Sequence, residues 1–259
     1  MSYLDELYSL DHKTAVVIGG GGVLAGIMAE GLAKAGANVV ILDLNLENAR
    51  KKADELTKYN VKTSAIKVDA SSKTDLENAA KEIIKEYGVV NIIINAPGIN
   101  SATPFLEISE EEYEKIMNVN LKSIYLSCQI FGKQMIEQGN GGSIINISSA
   151  SSGPPLSKVF TYSLSKAGVN NMTQYLSKEW AMHKIRVNAL APGFFPAEQN
   201  RKILTKERIE SIFNHTPMNR FGDPEELIGA TVWLASEKAS SFVTGAVIRV
   251  DGGYTAMTI

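Results

Sequence analysis

The sequence predicts a doubly wound α/β fold, because seven short runs rich in β-branched residues recur along it with longer helical patterns between them. Several of the runs are apolar almost throughout, as strands covered on both faces of a parallel sheet must be. A chain of 259 residues, 44% hydrophobic and 21% charged, is also long enough to bury a large core in one unit. In order the runs are Ala15–Ile18, Val39–Leu42, Thr63–Val68, Val89–Ile94, Ser143–Ile147, Ile185–Leu190 and Ala246–Val250. The helical stretches carry readable starts. Ser109 followed by Glu112 forms a capping box, and Asp223-Pro224-Glu225-Glu226 sets a cap, an N1 proline and an N3 glutamate in order. Strands alternating with helices imply βαβ units and right-handed crossovers. No repeat or linker-like segment divides the chain, so one domain over 1–259 with about seven parallel strands is expected.

Composition excludes several classes. With 26 Lys+Arg against 28 Asp+Glu the chain has no basic field, which argues against nucleic acid as a partner. The longest uncharged apolar stretch, Ala15 to Ala29, contains four consecutive glycines and is too short to span a membrane. The N-terminal segment lacks a basic region followed by an apolar one, so no signal peptide is expected. A lone cysteine, Cys128, suits a reducing cytoplasm. His12, His183 and His215 share no ligand spacing, and no metal site is readable.

In open α/β sheets ligands bind beyond the carboxyl ends of the strands. Directly after the first run comes Gly19-Gly20-Gly21-Gly22-Val23-Leu24-Ala25, opening a helix. Glycines let the backbone approach a pyrophosphate, and a helix N-terminus offers it free N–H groups. The structural alternative is a tight turn, which would not require four glycines. Asp43 ends the second run, 24 residues beyond Gly19, where an acid would accept hydrogen bonds from an adenosine ribose. Its alternative is a turn or capping role, which Asn45 could fill instead. No Lys or Arg lies in the loop or between Asp43 and Arg50, so a ribose 2′-phosphate would meet a carboxylate without a cation. NAD(H) is therefore favoured over NADP(H).

Of nine tyrosines only Tyr162 has a lysine four residues later, Lys166. On a helix that spacing puts both on one face. Positions 162, 166, 169, 173, 176 and 180 trace a stripe that is mostly apolar after Lys166 and would press against the domain. The pair follows the fifth run and its serine-rich end, Ser148 to Ser152. A phenol titrates near pH ~10, but a close ammonium favours its ionised form. Tyr162 could then give or take a proton at a substrate oxygen that Ser149 holds by a hydrogen bond. Asn120 falls on the apolar stripe Tyr113, Met117, Ile124, Cys128, Phe131 and Met135. A buried amide must be hydrogen-bonded, either as a core residue tying down backbone or as part of a proton relay.

These residues resemble the short-chain dehydrogenase/reductase family over essentially the whole chain. The likeness rests on the Gly19–Ala25 loop, Asp43, Asp69, Asn95-Ala96-Pro97-Gly98, Asn120, Ser149, Tyr162, Lys166 and Pro192-Gly193. It implies a Rossmann fold, a nicotinamide dinucleotide cofactor and alcohol–ketone interconversion. Ser149 is preferred to Ser148 because family spacing sets the serine thirteen residues before the tyrosine. The catalytic set it implies is Asn120, Ser149, Tyr162 and Lys166, with Asn120 positioning a relay water and Lys166 also holding the nicotinamide ribose. Cofactor contacts are implied at Gly19, Gly22, Val23, Leu24, Asp43, Leu44, Asp69, Ala70, Asn95, Ala96, Pro97, Gly98, Tyr162, Lys166, Pro192, Gly193 and Phe195. The loop departs from Thr-Gly-x-x-x-Gly-x-Gly by losing the threonine and two spaced glycines, Asn-Asn-Ala-Gly becomes Asn-Ala-Pro-Gly, and Ala197 replaces a common threonine.

A narrower likeness is to short-chain fructuronate reductases (D-mannonate oxidoreductases) and gluconate 5-dehydrogenase-like members. It is carried by the glycine loop, Phe194 to Arg201 and Thr216 to Gly222. It implies a sugar acid or polyol as the small-molecule substrate, with a lid over 194–215. Substrate contacts are expected from Ser149, Tyr162, Asn200 and Arg201. Arg201 could clamp a carboxylate bidentately or be a solvated helix arginine. The region from Gly245 to Gly253 resembles the family's assembly surface and implies a homotetramer. Another small alcohol, ketone or hydroxyacyl substrate remains the alternative, and a non-catalytic dinucleotide sensor is a third reading.

Overall fold

Seven parallel strands form one sheet in the computed structural model, which describes residues 2–196 and 205–256. They are β1 (Thr14–Ile18), β2 (Asn38–Asp43), β3 (Thr63–Lys67), β4 (Ile92–Asn95), β5 (Gly142–Ile147), β6 (Ile185–Pro192) and β7 (Val247–Val250), in the spatial order 3-2-1-4-5-6-7. The order reverses between β1 and β4, which creates the switch-point crevice at their carboxyl ends.

The unbroken apolar runs have a direct physical use, since successive side chains of a strand point to opposite faces. Ala15 and Val17 of β1, with Val39 and Ile41 of β2, pack under α2 (Val23–Lys34), α3 (Leu46–Leu56) and α9 (Leu227–Ala235). Val16, Ile18, Val40 and Leu42 face the other way, onto α4 (Lys73–Tyr87), α6 (Ser123–Gln138) and α7 (Phe160–Trp180). The short α1 (Tyr3–Tyr8), α5 (Glu110–Met117) and α8 (Lys206–Asn214) complete the helices used below. No helix among the described residues is long and apolar enough to cross a membrane.

All seven expected strands form, and the one whose start is most delayed has a clear cause. Pairing in β4 begins at Ile92 rather than Val89. The Val90 N–H and C=O are held instead by the Gln138 side chain at 3.0 and 2.9 Å, which replaces ladder bonds. The Asp223–Glu226 capping box is complete, and Ser109 accepts from the Glu112 N–H at 3.1 Å. The reciprocal half of the Ser109 box is absent, because the Glu112 carboxylate takes the Thr103 hydroxyl at 2.8 Å.

The stripe that opens with Tyr113 needs correction. Tyr113 is 38% exposed, and Ile116 takes the buried position. A π-helical turn over Asn118–Lys122 joins α5 to α6. Its wider turn sustains the four-residue spacing Ile116, Asn120, Ile124, Cys128 on one buried line, where a regular helix would drift away.

Close packing on this face gives a stability test. A Cβ on Gly132 of α6 would lie 2.5 Å from Cη2 of Trp180, a rigid ring at the end of α7. Overpacking of this kind costs about 1–3 kcal/mol, against a helix-propensity gain of about 0.5–1 for alanine. Gly132→Ala is expected to lower the urea midpoint with little change in m-value, and an unchanged or raised midpoint would show that the ring can step aside.

Candidate active site

The glycine loop is pinned by backbone contacts at the switch point. Gly19 has φ +77°, and a Cβ there would approach the Ala96–Pro97 peptide to 3.1 Å, so β1 and β4 are held together by a residue without a side chain. Gly21 donates its N–H to Oδ2 of Asp43 at 2.9 Å, and a Cβ on Gly21 would collide with that oxygen. Helices α3, α4, α5 and α8 open on Asn45, Ser72, Ser109 and Thr205, whose side chains accept N-terminal N–H groups. By contrast α2 opens on Gly22 with no side-chain cap. Its first turn, with Val23 and Leu24, lines the cleft and retains the donors and positive dipole end that suit an anion.

That cleft, of about 1290 Å³, runs from the glycine loop past Gly98, Ile147, Ser149, Tyr162 and Lys166 to Pro192, Gly193 and Phe194. Across the shared wall of Gly19, Gly22, Ala96 and Gly98 it meets a second space of about 950 Å³ lined by Asp43, Leu44, Asn48, Asp69, Ala70 and Pro97. Among the described residues no lysine or arginine lines this second space.

Tyr162 and Lys166 project from the start of α7 toward the end of β5. The Ser149 side chain lies near enough to the Tyr162 phenol to favour its ionised form, while Ser148 turns its hydroxyl to the Lys166 carbonyl at 3.4 Å. Lys166 is buried, donates to the Ile147 carbonyl at 2.8 Å and holds Nζ 5.8 Å from the centre of the Tyr162 ring. Burial depresses its amine to about 8. The expectation that the ammonium draws the phenol down is corrected here. Burial raises Tyr162 above its ordinary value, and the nearby Ser149 side chain offsets only part of that. The physical reason is placement: Lys166 points its proton at the strand carbonyl and lies beside the ring. This arrangement can hold a proton at a substrate oxygen next to a bound cofactor.

The short-chain dehydrogenase/reductase family model described as "Enoyl-(Acyl carrier protein) reductase" matches residues 22–255. The chain belongs to this family. Among its relatives is the 5-keto-D-gluconate 5-reductase of Escherichia coli (strain K12), 33% identical with 96% of this chain and 98% of that protein covered. A protein assigned as D-mannonate oxidoreductase from Haemophilus influenza, solved with bound NAD, is 34% identical, with a TM-score of 0.93 over 98% of this chain and 99% of that one. The gluconate 5-dehydrogenase from Burkholderia cenocepacia J2315, solved with NADP and tartrate, is 31% identical, with a TM-score of 0.94 over 99% and 100%. This short-chain dehydrogenase/reductase is an oxidoreductase.

Within its site, the cleft and its neighbour bring together all the described residues singled out from sequence except Asn95, Asn120 and Phe195. Asn95 points into the core, donating to Asn146 at 2.8 Å and accepting from Ser127 at 2.6 Å. Phe195 packs on the core and lines a separate cavity with Gly222 and Arg249, and the preceding Phe194 faces the cleft. Asn120 is fully buried behind the cleft. Its Oδ1 accepts the Ile99 N–H at 2.8 Å, and Nδ2 donates to the Ile99 carbonyl at 2.9 Å and to Ser165 at 3.1 Å. That is the satisfied-amide reading: the side chain fixes the backbone just after Gly98. Asn200, Arg201 and Ala197 lie outside the described residues. Sequence reasoning missed Ile99 and Leu156 in the cleft wall, while Phe194, which opens the expected lid segment, lines it.

Proposed function

We propose that this short-chain dehydrogenase/reductase interconverts a secondary alcohol and a ketone on a sugar acid or polyol, with NAD(H) as its hydride carrier and Tyr162 as general acid and base. The observation that carries the reading is that Ser149, Tyr162 and Lys166 line one cleft that leads past an uncapped helix N-terminus to Asp43. The residues present fit a dinucleotide, because the glycine loop, the uncapped first turn of α2, Asp43 and the Tyr162–Lys166 pair line two adjoining spaces. The first turn of α2 would hold the pyrophosphate, Asp43 the adenosine ribose, and Lys166 with Pro192-Gly193 the nicotinamide end. A bound nicotinamide supplies or accepts the hydride. In the reducing direction Tyr162 delivers its proton to the substrate oxygen, which Ser149 steadies by a hydrogen bond. The names of the relatives support a sugar acid. The buried thiol of Cys128, pushed up to about 12, suits a reducing cytoplasm, and a homotetramer is the assembly that the family likeness implies.

The test is NADH oxidation by the purified protein against a panel of keto-acid sugars, polyol-derived ketoses and simple ketones. Turnover of simple ketones alone would refute the sugar-acid reading. On the cofactor, the expected result is a much higher kcat/KM with NADH than with NADPH. Among the described residues the adenosine wall carries Asp43 and no cation to meet a 2′-phosphate. In Asp43→Ala the gap should narrow, with NADH losing about 10–100-fold as charge-assisted hydrogen bonds of about 1.5–3 kcal/mol disappear. Equal use of NADPH by the unmodified protein would refute the preference.

A further inference from the structure

Beyond Tyr162 the catalytic cleft abuts another cavity, of about 480 Å³, with which it shares Leu156 and Phe194. The outer cavity draws on three distant parts of the chain. Arg208 and Ser211 come from α8, His215 from the residue that caps that helix, and Tyr254 from the turn after β7. Among the described residues no carboxylate lines it.

Three of its side chains have unfilled hydrogen-bonding capacity among the described residues. Among the described residues no hydrogen bond or ion pair engages the half-buried Arg208 guanidinium. Arg220 and Arg186 show the contrast: Arg220 grips Glu226 through two nitrogens at 2.8 and 2.6 Å, and Arg186 lies on Ser240 and the carbonyls that end α9. The Tyr254 ring is set edge-on against Phe194 at 5.2 Å, and the charge of Arg208 reaches its phenol, offsetting part of the upward push of burial. No hydrogen bond among the described residues takes the Tyr254 hydroxyl. His215 places Nδ1 3.0 Å from the Ser211 carbonyl, an acceptor only, so Nδ1 carries the proton and Nε2 is left for another partner.

We propose that this outer cavity is the subsite for the carboxylate of the substrate, with Arg208 supplying the charge and Tyr254 a hydrogen bond. It rests on the sugar-acid reading above and deepens it: the reacting carbon sits at Tyr162 and Ser149, and the hydroxylated chain passes Phe194 and Leu156 to its acidic end. A cation facing a cavity without acids favours an anion, and a guanidinium gives a carboxylate two parallel hydrogen bonds. An apolar acyl tail would instead require continuous apolar walls, which Arg208, Ser211 and His215 interrupt.

The experiment compares kcat/KM for 5-keto-D-gluconate and for dihydroxyacetone, with NADH, in the unmodified protein, Arg208→Gln and Arg208→Lys. The acid-to-neutral ratio should drop about 10–100-fold in Arg208→Gln, chiefly through the KM of the acid, and recover in part in Arg208→Lys. An unchanged ratio in Arg208→Gln, with keto-gluconate still reduced, overturns the subsite and leaves the sugar-acid reading standing. Failure of the unmodified protein to reduce any hexulosonate while it reduces dihydroxyacetone overturns both. A measurement on the unmodified protein guards against misfolded variants: D-gluconate should inhibit keto-gluconate reduction far better than the neutral D-glucitol. Equal inhibition by the two overturns the role of charge.

Discussion

Tyr162→Phe is expected to lower kcat/KM for carbonyl reduction by at least about 10²–10⁴-fold, the range associated with a positioned general acid or base. The substitution removes one hydroxyl, which lies near Ser149, and leaves the ring over which Lys166 lies. Cofactor binding, read by quenching of protein fluorescence on titration with NADH, should therefore change little. The direction of the phenol's shift adds a pH signature. Burial raises Tyr162 above its ordinary value, so it keeps its proton throughout the neutral range. The reducing reaction, which needs that proton, should stay level through neutral and mildly alkaline pH and fall only once the phenol ionises. Alcohol oxidation, which needs the ionised form, should climb over the same interval. A folded Tyr162→Phe protein with near-normal turnover would end this mechanism.

The sheet was legible because both of its faces are covered. A strand buried on two sides must be apolar at every position, and runs such as Val39–Leu42 have few other uses. The exceptions are places where a side chain stands in for backbone. Gln138 bonds both polar groups of Val90, 48 residues away, and no local pattern announces that. The π-helical turn at Asn118–Lys122 was hidden for a related reason, since a regular period assigns Tyr113 to the stripe that Ile116 occupies. Asp43 was legible as an acid at a strand end. Its second duty, pinning the glycine loop through the Gly21 N–H, depends on a contact between two strand ends. Tyr162 and Lys166 could be read because one helix carries both. The outer cavity could not, because Leu156, Arg208 and Tyr254 meet only after β6 and β7 have joined the sheet.

Lys166→Met should separate activity from stability, abolishing most turnover while making the protein harder to unfold at neutral pH. Lys166 is 3% exposed, and among the described residues no carboxylate lies within ion-pair distance of it. Burial lowers its amine from 10.5 to about 8. Below pH 8 both folded and unfolded chains carry the proton, and the folded chain alone bears the cost of a desolvated charge. Between about 8 and 10.5 the folded chain releases the proton while the unfolded chain keeps it, so stability rises with pH over that window. The full effect is about 3 kcal/mol. Methionine fills a similar volume without charge, but it frees the Ile147 carbonyl, which lines the cleft and can turn to water. Allowing about 1–2 kcal/mol for that lost hydrogen bond leaves a net gain of about 1–2 kcal/mol at pH 7. Urea unfolding at pH 7 and pH 10 reads both parts. The unmodified protein should gain stability between the two pH values, and Lys166→Met should gain much less, starting from a higher midpoint. If Lys166→Met were less stable at pH 7 and followed the same rise, the hydrogen bond to Ile147 would outweigh the buried charge and the lysine would be a structural asset rather than a cost borne for catalysis.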